Sequence, residues 1–157
     1  MQPQEYIVWK ASRYESARKR IAGMLLFLGV LLGLFSLVGG NILGFIAGVV
    51  FFGGAGIGGY MLGNKLHEYV VTNQRAMLRR FNKVVKEVPL STPNLVVTTG
   101  DTETFTNRSL YFGARTYSQV DILFVANGVE LLRFKKVDAG RANELFGKLQ
   151  SMGFNRT

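Results

Sequence analysis

Residues 21–64 contain no Lys, Arg, Asp, Glu or His, and all of the chain's formal charges, 19 basic and 10 acidic, lie outside them. No other feature restricts the fold as severely. The stretch divides into two apolar runs, residues 21–38 and 42–63, joined by Gly39, Gly40 and Asn41. Crossing the hydrocarbon core of a bilayer takes roughly 20 residues of helix. Each run is therefore long enough to span, the second with some tilt, and the short connection makes the pair a transmembrane α-helical hairpin. A cleavable leader would begin nearer the N-terminus and carry a shorter apolar core. A buried core hairpin of this length would need more soluble chain around it than residues 65–157 supply.

The flanking charges predict orientation. Lys10, Arg13, Arg18, Lys19 and Arg20 precede the first run against Glu5 and Glu15, and Lys65, Arg75, Arg79, Arg80, Lys83 and Lys86 follow the second. The connection is uncharged, so the bias of basic residues toward the cytoplasmic side places both termini in the cytoplasm and the turn outside. The net charge of +9 then reflects juxtamembrane attraction to anionic headgroups, about 1 kcal/mol per basic side chain near the surface. Nucleic acid is not an expected partner. The absence of cysteine excludes disulfides, thiolate metal sites and lipidation at Cys.

Eight glycines fall within residues 44–63. The segment "GAGIGG" has the look of a phosphate-binding loop, but such a loop needs a preceding strand and an aqueous setting. Inside a spanning helix, glycines four apart let backbones approach closely. Gly29 with Gly33, Gly44 with Gly48, Gly54 with Gly58 and Gly59 with Gly63 meet that spacing, and they are the expected helix-packing residues. The chain's own first helix or a neighbouring subunit could fill the groove. No ionisable residue sits at membrane depth, so nothing marks an ion pathway or proton relay.

Residues 1–20 read as a juxtamembrane segment. Tyr6, Trp9 and Tyr14 alternate with basic residues in a composition suited to a headgroup interface. Glu15 and Lys19 have helical i,i+4 spacing, so the first helix is expected to begin before the bilayer.

From residue 67 the pattern changes to short runs rich in Val, Thr and aromatics, broken by Asn, Pro and Gly. Strands are expected over 67–72, 75–81, 83–90, 94–99, 102–106, 109–113, 119–126 and 129–137. Reversals fall at 73–74, at Asn82 and at "TGD" (99–101), and Asn127-Gly128 supplies the positive φ angles of a two-residue hairpin turn. A closing helix follows, capped by Asp138, with Ala142, Leu145, Phe146, Leu149 and Met152 in an apolar stripe and Gly153 just past its end. The fold class is a membrane α-helical hairpin joined to an α+β, mostly β domain over residues 65–157, with a bent antiparallel barrel capped by the C-terminal helix.

A hairpin followed directly by "EYVVTNQRAMLRRFNKVVKEVPL", with "LLRFKKVDAGRANELFGKLQ" at the close, resembles the bacterial pleckstrin-homology-like (PH-like) membrane proteins. The matching strands run over 70–75, 76–81 and 84–90. The resemblance implies a PH-like barrel used for binding or assembly in a bacterial inner membrane, with no catalytic residues to carry over.

Catalytic chemistry is otherwise thinly provided for. His67 is the sole histidine and sits at the membrane exit. Asp101 and Glu103 lie among threonines without a partnered base or metal ligand. No enzyme activity, metal or cofactor is expected. Arg18, Lys19, Arg20, Arg75, Arg79, Arg80, Lys83 and Lys86 are the candidate contacts for anionic lipid or partner protein. A solvated edge that resists sheet aggregation is the plainer reading of the last five. The leading expectation is a structural subunit that packs through its glycine faces with itself or another membrane protein. A membrane-anchored lipid- or peptide-sensing module is the alternative, and a homo-oligomeric channel a third.

Overall fold

The computed structural model describes residues 4–109 and 113–154. It divides into two compact units: Glu15–Asn64, and a sheet domain made from Met1–Tyr14 together with Lys65–Thr157.

Strand β1 (Ile7–Ser12) comes first, followed by helices α1 (Glu15–Val38) and α2 (Ile42–Leu66). Strands β2 (Glu68–Thr72), β3 (Arg75–Arg80), β4 (Lys83–Pro89), β5 (Leu95–Ser109), β6 (Gly113–Ala126) and β7 (Val129–Asp138) follow, and α3 (Ala139–Ser151) closes the chain. The described strands form two antiparallel sheets, ordered β1-β2-β3-β4 and β5-β6-β7.

Residues 7–12 are not part of the headgroup-facing juxtamembrane segment that composition suggests. They form an edge strand paired with β2, Ala11 opposite Tyr69 and Ser12 opposite Glu68. Trp9 and Ala11 point into the core while Lys10 is exposed, the period of two that a strand requires. Trp9 is 2 % exposed, stacks on Phe134 with 6.1 Å between ring centroids, and donates its Nε1–H to the Arg141 carbonyl at 3.0 Å. The indole that would suit a headgroup interface is thus a core residue. One domain is assembled from both sides of the apolar hairpin.

Both sheets and α3 share one core. Trp9, Tyr69 and Val71 from the first sheet meet Ile122, Phe124 and Phe134 from the second, and Leu145, Phe146 and Leu149 from α3. Phe134 is its hub: Tyr69 stacks on it at 4.6 Å and Phe124 meets it edge-on at 5.0 Å. The Tyr69 hydroxyl stays satisfied by donating to the Lys135 carbonyl at 2.8 Å and accepting from the Lys135 N–H at 3.0 Å. The expected stripe on α3 is buried as predicted, with Met152 partly so. Asp138 occupies the N-cap position, but its side chain makes no cap hydrogen bond.

"TGD" is not a turn. It is a bulge between Thr99 and Thr102 within the single strand β5, so the strands expected over 94–99 and 102–106 are one. Asp101 and Glu103 lie on that strand, ion-paired to Arg133 and Lys136. Of the strand expected over 109–113, residues 110–112 lie outside the described residues. The reversals at Asn82 and at Asn127-Gly128 form as expected, with φ of 65°, 51° and 78°.

The unit Glu15–Asn64 holds two helices long and apolar enough to cross a membrane. In the most apolar window of each, only 11 % is buried. A core helix of a water-soluble protein would be mostly covered.

Candidate functional site

Two regions hold the residues singled out by sequence: the seam and outer faces of the helical hairpin, and the β3–β4 end of the sheet domain. Each is built independently of the other.

In the hairpin, Ser36, Gly33, Gly29, Leu26, Ala22 and Arg18 of α1 run down one side while Gly44, Phe45, Gly48, Phe52, Gly53, Gly56 and Gly63 of α2 run up the other. These α1 positions recur every three or four residues, so they form a single stripe. A methyl on Gly29 would stand 2.9 Å from the Gly48 carbonyl oxygen and 2.9 Å from Phe52 Cβ. One on Gly33 would stand 2.7 Å from the Phe45 ring, and one on Gly56 2.9 Å from the Ala22 carbonyl oxygen. The Gly48 and Ala22 carbonyls are backbone and cannot yield at such distances, so glycine is required at Gly29 and Gly56 for the helices to approach this closely. At the turn, Asn41 Oδ1 accepts the Gly44 N–H at 2.8 Å, capping α2 at its first turn.

Gly29, Gly33, Gly44, Gly48 and Gly63 are therefore spent within the chain's own hairpin. Gly53 and Gly56, which pairing by four leaves out, belong to the same seam. The signal that finds them is the longer step: Gly48, Gly56 and Gly63 are eight and seven residues apart, two helical turns each. Gly54, Gly58 and Gly59 meet nothing within 4 Å where a Cβ would stand. At 3.6 residues per turn, Gly54 and Gly58 lie on the side of α2 away from Gly48, Gly56 and Gly63.

Arg18 joins the seam rather than the headgroups. Its Nη1 donates to the Gly63 carbonyl at 2.7 Å, and its Cδ occupies the space a methyl on Gly63 would need. Sequence reasoning placed it among lipid contacts because it stands in a basic run, but the missing Gly63 side chain opens a slot that the guanidinium fills. Lys19 pairs with Glu15 at 2.9 Å, as their spacing predicts. Arg20 lines an open apolar groove with Ile21, Gly23, Met24 and Phe27.

The basic group of β3 and β4 separates into two ends. Arg75 opens β3, opposite Pro89. Its Nε and Nη2 donate to the Glu5 carboxylate at 2.8 Å each, and its Nη1 donates to Glu87 at 2.9 Å. The Arg75 guanidinium holds the Glu5 carboxyl below the usual range, aided by the Thr72 hydroxyl, and Glu5 in turn raises Arg75. Arg75 is an internal clamp on the residues before β1, so it is not available as a lipid contact.

Arg80 and Lys83 sit at the other end, facing each other across the β3–β4 turn, and Lys86 stands opposite Leu78. Five residues of strand, about 17 Å, separate Arg80 from Arg75. Arg80, Lys83, Lys86 and Lys65 make no ion pair among the described residues. Arg79 stands across from Glu68, whose carboxylate pairs with Lys10, and the Arg79 Nε is buried without an acceptor. The turn residues Phe81 and Asn82 both have positive φ, 49° and 65°, and the Phe81 N–H donates to the Lys65 carbonyl at 2.6 Å.

Among the described residues no three His, Asp or Glu side chains come together as metal ligands would. No protein-family model, no curated protein and no solved structure matches the chain.

Proposed function

We propose that this chain is a non-enzymatic integral membrane subunit that assembles through the outer face of α2, with its sheet domain held at the cytoplasmic face of a bacterial inner membrane. The observation that carries the reading is the bare backbone at Gly54 and Gly58. The seam with α1 already has its own glycines, and these two leave a notch on the opposite face where a further helix can approach as closely as α1 does on its side. Large apolar side chains flank that notch, Phe51 and Met61 among them, and in a bilayer they pack against lipid or the incoming helix. The basic flanks before and after the spans favour cytoplasmic termini. Two sheets of four and three strands, closed over a shared core by a C-terminal helix, support the PH-like barrel reading, with the membrane hairpin placed between its first two strands. The partner is a second copy of this chain or another membrane subunit.

Gly54→Leu and Gly58→Leu test the proposal, with the mass of the tagged chain and its co-purifying proteins measured in mild detergent at native expression. Loss of the larger particle with the sheet domain still folded is the expected result. Intact complexes in both variants would remove the outer α2 face as the assembly surface.

A further inference from the structure

The β3–β4 turn combines four features that an ordinary solvated hairpin does not need. Phe81 at its tip is 50 % exposed. It sits in the left-handed region, where a bulky aromatic is rare and small polar residues or glycine are common. Such an outlier, held by its surroundings, points to a role for the side chain itself. Next to it, Val84 is 44 % and Val85 59 % exposed. Val85 falls at the bulge where the β3–β4 register slips between Leu78 and Arg79, so it has no partner opposite it. Around these apolar side chains stand Arg80, Lys83 and Lys86, none ion-paired among the described residues.

The tip is also bonded to the chain just after the second apolar run. The hydrogen bond from the Phe81 N–H ends on the carbonyl of Lys65, the first charged residue after the apolar run and a member of the last turn of α2. A residue in that position lies where a spanning helix leaves the hydrocarbon.

An exposed aromatic among unpaired cations is the composition that settles at a membrane interface, with the ring at headgroup depth and the charges on lipid phosphates. We infer that the β3–β4 turn dips into the headgroup layer of the membrane that α1 and α2 cross, with Phe81, Val84 and Val85 as the inserted side chains and Lys65, Arg80, Lys83 and Lys86 bound to anionic headgroups. The occupant of this surface is the bilayer, not a protein: the cations require an anionic partner, and Lys65, to which the tip is bonded, is the first charged residue after a run long enough to span. The domain thus has a membrane contact of its own besides the covalent tether.

The chain has no cysteine, so one introduced thiol is the only one to label. The full chain carries an environment-sensitive fluorophore at Phe81→Cys, at Val85→Cys or at Ser91→Cys, and is placed in nanodiscs of phosphatidylcholine with or without phosphatidylglycerol. Ser91 is exposed and lies beyond the far end of β4. Probes at 81 and 85 should be quenched by lipid spin-labelled near the headgroup and shielded from aqueous iodide, more so with phosphatidylglycerol, while the probe at 91 behaves oppositely. Adding Arg80→Gln and Lys83→Gln should lower the ratio of inserted to free turn about fivefold per residue. Equal iodide access at 81, 85 and 91 in both lipids overturns the inference. So does shielding at 81 and 85 without lipid quenching, which would mean that a protein covers the turn. Because Val85 lies in a strand away from the positive-φ position, its result stands if the change at Phe81 disturbs the turn.

Discussion

Excising the hairpin and joining its ends tests whether one domain is built from two separated stretches of chain. Ser12 pairs with Glu68, and the Arg13 N–H reaches the His67 carbonyl at 3.3 Å. A Gly/Ser linker of about six residues, with a typical span of roughly 13 Å, therefore connects Tyr14 to Lys65 without strain. The linked chain is expected to fold as a water-soluble domain. Trp9→Ala in that background removes a side chain that is 2 % exposed and stacked on Phe134. Truncating a core aromatic to alanine costs about 3–5 kcal/mol, a large share of the ~5–15 kcal/mol that holds a small domain together. With a urea slope of about 2 kcal/mol per molar, the midpoint should fall by roughly 2 M. Trp9→Phe keeps a ring on Phe134 and loses chiefly the hydrogen bond to the Arg141 carbonyl, so about 1–2 kcal/mol is expected. Far-UV circular dichroism reads both, because Trp9 is the only tryptophan. Residues 65–157 alone leave β2 and the Phe134 hub uncovered and should show no cooperative transition. If that fragment unfolds cooperatively at the midpoint of the linked chain, β1 is not part of the domain and the reasoning fails.

Other consequences follow from the seam and the clamp. Gly56→Leu drives a side chain into the Ala22 backbone and should destabilise the hairpin by about 1–3 kcal/mol or force it open; spin-label distances between the helix ends in nanodiscs would report this, and Gly54→Leu should leave them unchanged. Arg18→Met removes a charge-assisted hydrogen bond to the Gly63 carbonyl. It should cost up to about 2 kcal/mol, read as lower thermal stability of the helical signal in micelles and faster exchange of amides near residue 63. Arg75 depresses the Glu5 carboxyl below its usual 4.5, so this contact stabilises fully above pH 4.5 and is lost as pH falls through the lowered value. Exchange of the Tyr6 N–H, which donates to Asn73 Oδ1 at 3.0 Å, should accelerate in that acidic window, and Glu5→Gln should abolish the pH step.

The sequence made the hairpin legible because a charge-free stretch of 44 residues admits few alternatives in water. The Asn127-Gly128 turn and the α3 stripe were legible for similar local reasons: turn chemistry and a 3.6-residue period. β1 was not, since six residues of alternation carry little signal and the strand's partner lies beyond two helices. Trp9 next to Lys10 reads equally well as an interfacial anchor until β2 is seen beside it. The glycines show a different limit. Pairing by four identifies small faces but not the helix each one meets, so Gly54 and Gly58 looked equivalent to Gly44 and Gly48 while Gly53 and Gly56 went unselected. Arg75 and Arg80 are five residues apart and seemed to form one basic patch. Strand geometry carries them to opposite ends, and among the described residues it is Arg75 that pairs with carboxylates, Glu5 and Glu87.

A helical hairpin long and apolar enough to cross a membrane can interrupt this sheet because of what it replaces. Adjacent antiparallel strands are about 4.8 Å apart and are usually joined by a tight turn. The two ends of a packed helical hairpin are also neighbours, about 8–10 Å apart, so a two-helix insertion meets nearly the same closure condition as a two-residue turn. Arg13, Tyr14 and His67 take up the difference through backbone hydrogen bonds, Arg13 to His67 and Tyr14 to the Lys136 carbonyl at 3.2 Å. The condition holds only for an even number of crossings. With α1 or α2 deleted alone, the remaining span would leave β1 and β2 on opposite faces of any membrane it crosses, and Trp9 could not reach Phe134. Single-helix deletions should therefore destroy the sheet domain, read as protease sensitivity of residues 65–157 in membranes, while deletion of both helices with a linker should preserve it. A protected domain in either single deletion would show that β1 is dispensable after all.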